Sequence, residues 1–211
     1  MPMPMPMLMP MPMLMPVPVP MPIPAPRFAP ELLLRAQGSG LGMRAAIFDV
    51  DGVLTDGRLF IGEAGEVFKA FHVLDGQGLK LLAQAGIAPI IITGRDSPAV
   101  RRRMADLGLA DAHFGVSDKL ALTAPLLAAR GLGWADVAVI GDDWPDLPLL
   151  ARAGLACVPP GGHADARALA HHVTQAPGGA GAAREFCDLL LMASGRYAGL
   201  LASQQGTLDG R

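Results

Sequence analysis

This chain has few aromatic residues and no marked excess of charge of either sign. Aromatic residues make up 5% of its 211 residues, and 17 lysines and arginines stand against 19 aspartates and glutamates. Binding to nucleic acid usually depends on a basic surface and on aromatic side chains that stack against bases. The composition therefore disfavours a nucleic-acid partner and favours a small molecule.

Cysteine and histidine are too sparse to indicate a disulfide framework or a zinc site. Cys157 and Cys187 are the two cysteines, and they do not form a CxxC pair. The five histidines show no spacing typical of zinc ligands, such as HExxH. We expect both thiols to be reduced and buried, as is usual in a cytoplasmic protein.

The amino terminus lacks a long uninterrupted apolar run, because proline alternates with apolar residues over positions 1–26. Each proline removes a backbone donor and fixes φ, which excludes a helix. A segment that spans a bilayer must satisfy its backbone groups internally, and a signal peptide needs a basic start and an unbroken apolar stretch. We predict a disordered tail with polyproline II character over residues 1–26, and no membrane association.

The rest of the chain predicts one α/β domain. Residues 27–42 predict a short helix that begins near Pro30, followed by a linker, and residues 204–211 predict a flexible tail. Between them, residues 43–203 alternate buried apolar runs with amphipathic stretches, which is typical of βαβ units. The fold class is therefore a three-layer, Rossmann-like parallel sheet. The predicted strands are 45–50, 88–92, 112–114, 137–141, 156–158 and 172–173, and the predicted helices are 76–85, 98–107, 118–130 and 146–153.

One insertion interrupts the alternation directly after the first predicted strand. Residues 58–61 and 66–73 are rich in strand-forming residues, and Gly62-Glu-Ala-Gly65 between them is typical of a tight turn. This pattern predicts a small β-hairpin.

Acidic residues follow two of the predicted strands. Asp49 and Asp51 lie on one face of an extended segment, and Gly52 lets the backbone turn and approach a ligand closely. Ligands of open α/β sheets bind outside the carboxyl ends of the strands. Carboxylates of Asp49, Asp51 and Asp142 would make a site for Mg²⁺, which prefers hard oxygen ligands. Asp143 and Asp146 are expected to support this set.

Four segments occur in order at the predicted strand ends or just after them. They are 49–57 (DVDGVLTDG), 91–95 (IITGR), 117–119 (SDK) and 141–146 (GDDWPD). A single DxD is common in solvated loops, but the four together resemble the motifs of the haloacid-dehalogenase superfamily of phosphohydrolases. The resemblance covers residues 43–203 and implies a Mg²⁺-dependent phosphatase.

The same residues suit the chemistry of phosphate-ester hydrolysis. Asp49 can attack phosphorus to form an aspartyl-phosphate, and Asp51 can protonate the leaving oxygen and later activate water. Thr93, the amide of Gly94 and the ammonium of Lys119 can bind the phosphate oxygens. The superfamily resemblance implies these roles at the same positions.

The short intervals between the four segments leave no room for a large cap domain. Superfamily members with caps insert them between the first and second motifs or between the second and third. Here the hairpin and one helix fill the first interval, so the chain resembles the capless members. A capless site lies open to water. We therefore expect a neighbouring subunit to complete the site and predict a homotetramer.

Two further segments, 65–78 and 178–189, resemble one capless family, the 3-deoxy-D-manno-octulosonate 8-phosphate phosphatases. The resemblance implies a homotetramer that releases phosphate from an eight-carbon sugar acid in lipopolysaccharide synthesis, with each hairpin directed toward a neighbouring site. It makes Arg95 and Arg184 candidates for holding the sugar acid or the phosphate. Arg95 could equally form a structural ion pair with Asp146.

The chain departs from the family pattern at two positions, which bear on substrate preference. Ala180 lies where family members often carry a basic residue, and Asp118 replaces the usual asparagine before Lys119. A phosphatase for a nine-carbon, sialic-type acid phosphate is therefore an alternative. A catalytically idle homologue that serves as an assembly module is another, although the four intact motifs argue against it.

Overall fold

The structure, a computed structural model, describes residues 28–38 and 42–206. The predicted tail over residues 1–26 and the last five positions of the predicted carboxyl-terminal tail lie outside the described residues. The described strands are β1 (Ala45–Phe48), β2 (Phe60–Gly62), β3 (Gly65–Phe68), β4 (Ala88–Ile92), β5 (Ala112–His113), β6 (Val137–Ile140), β7 (Leu155–Val158) and β8 (His172–Val173). The described α-helices are α1 (Pro30–Ala36), α2 (Val73–Gln84), α3 (Pro98–Leu107), α4 (Lys119–Ala129), α5 (Leu147–Leu150), α6 (Ala164–Leu169), α7 (Ala182–Ala193) and α8 (Tyr197–Gly206).

Six strands form a parallel sheet in the order β5-β4-β1-β6-β7-β8. The central strand, β1, pairs with β4 on one side and with β6 on the other, so the carboxyl ends of these three strands lie side by side. The order reverses at β1, which is where open α/β sheets bind their ligands. The predicted parallel sheet is confirmed, and the strand ends that carry the predicted site residues lie side by side.

The sheet has helices on both faces because the side chains of β1 alternate between two cores. Ala46 and Phe48 belong to one core with residues of α1, α2, α3 and α7, whereas Ala45 and Ile47 belong to the other with residues of α4, α5 and α6. Phe48 is fully buried and meets the ring of Phe186 edge to face, with 5.3 Å between ring centroids. Burial of one such side chain contributes roughly 1.5–3 kcal/mol. The three-layer prediction is confirmed.

The first residue of α4 is set by a cap. The side chain of Asp118 accepts a hydrogen bond from the amide of Ala121 at 2.9 Å, which satisfies a donor of the first helical turn. Lys119 is therefore the first residue of the helix, next to the carboxyl end of β4 and β1. The replacement of asparagine by Asp118 keeps this cap, because both side chains are good acceptors at a helix start.

The β2–β3 hairpin forms a separate two-stranded antiparallel sheet, as predicted. The rings of Phe60 and Phe68 stack across it at 4.3 Å, and the outward side chains of Ile61 and Val67 are 62% and 65% exposed. Its second strand ends at Phe68, earlier than residue 73, where the predicted strand ended. No helix among the described residues has the length and apolar character needed to cross a membrane.

Three helix boundaries differ from the prediction, and a cap or proline explains two of them. Helix α2 begins at Val73, three residues before the predicted start, because the side chain of His72 accepts a hydrogen bond from the amide of Leu74 and caps the first turn. Helix α5 covers only Leu147–Leu150, preceded by a 3₁₀ turn that contains Pro145. Helix α8 ends at Gly206, three residues past the predicted domain boundary.

Candidate active site

A cleft of about 320 Å³ opens at the carboxyl ends of β1, β4 and β6. Its walls come from the loop after β1, the turn after β4, the start of α4 and the loop after β6. Every site residue predicted from the sequence except Arg184 lines this cleft. The residues are Asp49, Asp51, Thr93, Gly94, Arg95, Lys119, Asp142, Asp143 and Asp146.

Asp49 continues the central strand into the cleft. Its amide donates to the carbonyl of Ile140 at 3.1 Å, and the amides of three following residues converge on the carbonyl of Val50, which turns the chain sharply. Gly52 lies in this turn with φ of 87°, and an added Cβ would lie 2.1 Å from Oδ2 of Asp142. Glycine is therefore required both by the backbone conformation and by the approach of Asp142.

The carboxylates of Asp49, Asp142 and Asp146 form a compact acidic cluster, with one oxygen from each within 4.8 Å of the others. Burial, and then the neighbouring carboxylates, raise the pKa of Asp142 to about 8 and that of Asp49 to about 6. Three hard oxygen donors that repel one another in this way fit a divalent cation. Asp49 and Asp142 are in the predicted metal set, and Asp146 was predicted to support it.

Lys119 balances part of this charge. Its side chain is 3% exposed, and its Nζ donates to Oδ1 of Asp49 and to Oδ1 of Asp146, both at 2.7 Å. Burial acts to lower the pKa of Lys119, but the two carboxylates outweigh burial and raise it above its usual value. The side chain is therefore an ammonium ion at neutral pH, and it leaves Oδ2 of Asp49 as the oxygen that can attack.

Asp146 also orders the loop after β6. Its Oδ2 accepts hydrogen bonds from the amides of Asp142 and Asp143 at 3.0 and 3.4 Å. Because Oδ1 of Asp146 is occupied by Lys119, the ion pair between Arg95 and Asp146 that the sequence left open is not formed. Arg95 instead pairs with Asp51, whose Oδ2 lies 3.9 Å from its Nε.

The side chain of Asp51 lies apart from the acidic cluster, although the sequence analysis predicted it as a metal ligand. Its Oδ1 accepts a hydrogen bond from Nζ of Lys69 at 2.5 Å and lies 3.5 Å from Oγ1 of Thr55. One oxygen of this carboxylate is therefore bonded to a lysine, and neither oxygen belongs to the acidic cluster. The role of Asp51 as acid and base stays a prediction.

Lys69 is a site residue that the sequence analysis did not single out. It follows β3 directly, and its side chain is 1% exposed between Asp51 and Glu66. A signal was present, because Lys69 lies three residues after Glu66 and is the only basic residue of the hairpin strand segment 65–73 apart from His72. What the sequence could not indicate is that this buried lysine contacts Asp51, a residue that lines the cleft.

Thr93 and Gly94 form the turn after β4. The amide of Thr93 donates to the carbonyl of His113 at 3.0 Å, and its Oγ1 accepts from the amide of Arg95 at 3.4 Å, so the hydroxyl has a defined place at the cleft floor. Its hydroxyl proton can be donated to a phosphate oxygen. The guanidinium of Arg95 lies at the cleft mouth, with 47% of its side chain exposed.

The structure places Arg184 outside this group. Its Nε bonds to Oδ1 of Asp188 at 2.8 Å, and its amide donates to Oδ1 of Asp75 at 2.8 Å. It lines a different cavity, of about 260 Å³, together with residues of α7 and β8. Arg184 is therefore not among the residues that line the cleft of Asp49.

A capless Rossmann-like domain with these groups on its central strand ends has the architecture of the haloacid-dehalogenase phosphohydrolases. No protein-family model matches the chain. It is 39% identical over 168 residues to the 3-deoxy-D-manno-octulosonate 8-phosphate phosphatase of Salmonella typhimurium, covering 80% of this chain and 87% of that protein. The chain belongs to the family of 3-deoxy-D-manno-octulosonate 8-phosphate phosphatases.

Two solved structures extend this comparison. A probable phosphatase from Pseudomonas syringae is 43% identical, with a TM-score of 0.79, and the match covers 87% of this chain and all of that one. The phosphatase of Moraxella catarrhalis, determined with a magnesium ion, a phosphate ion and 3-deoxy-D-manno-octulosonate, is 38% identical. Its TM-score is 0.77, over 82% of this chain and 97% of that one.

Proposed function

We propose that this chain hydrolyses 3-deoxy-D-manno-octulosonate 8-phosphate to the free sugar acid and phosphate, with Mg²⁺ as its cofactor. The observation that carries the proposal is the acidic cluster in the cleft, where Asp49 and Asp142 meet beside the buried ammonium of Lys119. The Moraxella relative was determined with magnesium, phosphate and the free sugar acid, which supports the same cofactor and products here.

Each residue of the cleft has a separate role in the proposed reaction. Oδ2 of Asp49 attacks phosphorus as the bond to the sugar oxygen breaks, and Asp51 gives its proton to that oxygen. Water then attacks the aspartyl-phosphate and transfers a proton to Asp51, which regenerates both carboxyl groups. Thr93 and Lys119 hold the phosphate oxygens during both steps. Asp49 and Asp142 would hold Mg²⁺, which would supply positive charge to offset the repulsion between the carboxylate and the phosphate.

Arg95 is the residue we propose for holding the sugar acid. Its guanidinium lies at the cleft mouth and is about half exposed, so a ligand carboxylate can reach it without the loss of a buried ion pair. Arg184, in the first turn of α7, lines a different cavity, which does not support a direct contact with substrate from the same subunit.

The assembly we propose is a homotetramer in the cytoplasm that serves lipopolysaccharide synthesis. The exposed apolar side chains of the hairpin support an interface with another subunit, since Phe68 is 51% exposed and Val67 is 65% exposed. A neighbouring hairpin would also supply the wall that a capless cleft lacks.

The test is phosphate release from a panel of sugar-acid phosphates, in Mg²⁺ and in EDTA. The eight-carbon substrate should be turned over with the highest kcat/KM and the nine-carbon sialic-type acid phosphate more slowly, and EDTA should abolish both activities. Asp49→Asn should lower kcat by at least about 10³-fold because the nucleophile is lost.

Asp136→Asn is the matched control, since Asp136 precedes β6 at the opposite edge of the sheet. Turnover in EDTA, or an Asp49→Asn variant as active as the control, would contradict the mechanism. A preference for the nine-carbon substrate would contradict only the choice of sugar.

A further inference from the structure

Lys69 joins the hairpin to the group that we propose as the general acid and base. Its Nζ lies 2.5 Å from Oδ1 of Asp51 and 3.2 Å from Oε2 of Glu66, and its side chain is 1% exposed. A buried ammonium ion is costly unless it is paired, so this arrangement restricts where each of the three side chains can lie. Lys69 is also absent from the residues that line the cleft, which separates it from a group that binds substrate.

The other end of this pair is anchored to α3. Glu66 accepts a hydrogen bond from Oγ of Ser97, which is buried and caps the first turn of that helix. Although burial acts to raise the pKa of Glu66, the hydrogen bonds from Ser97 and Lys69 outweigh it and lower that pKa, so Glu66 is a carboxylate at neutral pH. The ammonium of Lys69 is thus tied to the same loop that carries Arg95.

The two oxygens of Asp51 consequently face different partners. Oδ1 accepts the hydrogen bond from Lys69, whereas Oδ2 lies toward the guanidinium of Arg95, which lines the cleft. The hydrogen bond to Oδ1 restricts rotation of this carboxylate about its Cβ–Cγ bond. Oδ2 is therefore the oxygen presented to the leaving group and to water.

We infer that Lys69 is a positioning residue for catalysis, which holds Oδ1 of Asp51 so that Oδ2 exchanges the proton with the sugar oxygen and then with water. The inference rests on the proposed phosphatase function. It assigns to the hairpin a role inside its own subunit, namely orientation of the acid and base through the chain Ser97, Glu66 and Lys69.

A double-mutant cycle tests this inference. Lys69→Met should lower kcat for an alkyl phosphate by about 10²-fold, with KM changed by less than about threefold, because the acid is present but misplaced. In an Asp51→Asn background the same change should cost less than about threefold, since Lys69 acts through Asp51. Lys69→Arg should recover about tenfold of the loss, and Lys80→Met, at an exposed lysine of α2, should change nothing.

The leaving group gives a second readout. p-Nitrophenyl phosphate needs little protonation of its leaving oxygen, so Lys69→Met should cost several-fold less on this substrate than on the alkyl phosphate. A purely structural role would lower both activities alike. Equal losses in the wild-type and Asp51→Asn backgrounds, or equal losses on the two substrates, would overturn the inference.

Glu66→Gln keeps the inference testable should Lys69→Met fail to fold. It weakens the support of Lys69 and should lower kcat by several-fold, again with little further loss in the Asp51→Asn background. If the single variants Glu66→Gln and Lys69→Arg both keep the full wild-type kcat, the proposal is overturned. These assays use glycerol phosphate, as the alkyl phosphate, and p-nitrophenyl phosphate. A wild-type protein that hydrolyses both of them but not the sugar-acid phosphate would contradict the proposed substrate and leave this test intact.

Discussion

The cleft and the hairpin of this domain are built in opposite ways. In the cleft, polar groups are buried and paired, as in the contact of Lys119 with Asp49 and Asp146 at 2.7 Å each. On the hairpin, apolar side chains are exposed, and Ile61 and Val67 are more than half accessible to solvent. The cleft holds the chemical groups on a central strand, whereas two antiparallel strands alone are marginally stable in water.

The two regions are nevertheless connected through Lys69 and Glu66. Lys69 forms an ion pair with Asp51, which lines the cleft, and another with Glu66 of β3. Ion pairs of Lys69 therefore fix the hairpin against its own subunit, while its apolar face remains available to another subunit. Each region can therefore be perturbed separately.

Loss of the cleft's buried cation should have the largest effect. Lys119→Met leaves Asp49 and Asp146 buried without their ammonium partner, which costs about 3–5 kcal/mol of unfolding free energy in comparable cases. It also raises the pKa of Asp49 further, so less of the nucleophile is ionised at neutral pH. We expect kcat to fall at least about 10²-fold, measured by phosphate release, and Tm to fall in the metal-free protein.

Lys80→Met is the control for this change, because it removes the same charge from an exposed position on α2. If Lys119→Met keeps more than about a third of the wild-type kcat, catalysis in the cleft does not depend on the ammonium of Lys119. The contrast between the cleft and the hairpin would then fail.

Replacement of the hairpin's apolar face should have an intermediate effect, which acts through assembly and not through the stability of the subunit. Ile61→Ser with Val67→Ser removes exposed apolar surface, so Tm of the isolated subunit should change little. If the proposed tetramer buries this face, light scattering should report smaller species, and kcat/KM for the sugar-acid phosphate should fall about tenfold as the cleft loses a wall.

The matched control is Leu34→Ser, a similar change at a leucine of α1 that is 65% exposed. An unchanged oligomer with the hairpin variant, or an equal dissociation with Leu34→Ser, would contradict the proposed interface.

The smallest effect concerns pH. The folded-state pKa of Asp142 is raised from 3.8 to about 8, so the folded protein binds more protons than the unfolded chain between these values. Stability of the metal-free protein should therefore decrease as pH rises through this window. Between pH 6 and pH 8 we expect Tm to fall by about 3–6 °C.

Differential scanning calorimetry in EDTA measures this slope. Asp142→Asn should flatten it, and saturating Mg²⁺ should do the same in the wild-type protein because the cation favours the ionised carboxylates. A Tm that rises between pH 6 and pH 8 in EDTA would show that the carboxylates of the cleft are not crowded in the way described.

Much of the fold could be predicted because its signals are local. The apolar runs before Asp49, Thr93 and Asp142 predicted three neighbouring strands, and the proline and glycine that flank α3 predicted both of its ends. Helix α2 was predicted too short, because Val73 was assigned to the second strand of the hairpin. In the structure that strand ends at Phe68, and the side chain of His72 caps a helix that begins at Val73.

The sequence by itself determined the sheet, the edge on which the site lies, and most of the side chains that meet there. Parallel strands bring their carboxyl ends together whatever the details of packing, so motifs that follow those strands must converge. Only the tertiary structure decided which charges pair. It placed Arg184 at a different cavity, directed Lys119 to Asp146, and brought Lys69 to Asp51, because ion pairs depend on distances of a few ångströms between segments far apart in the chain.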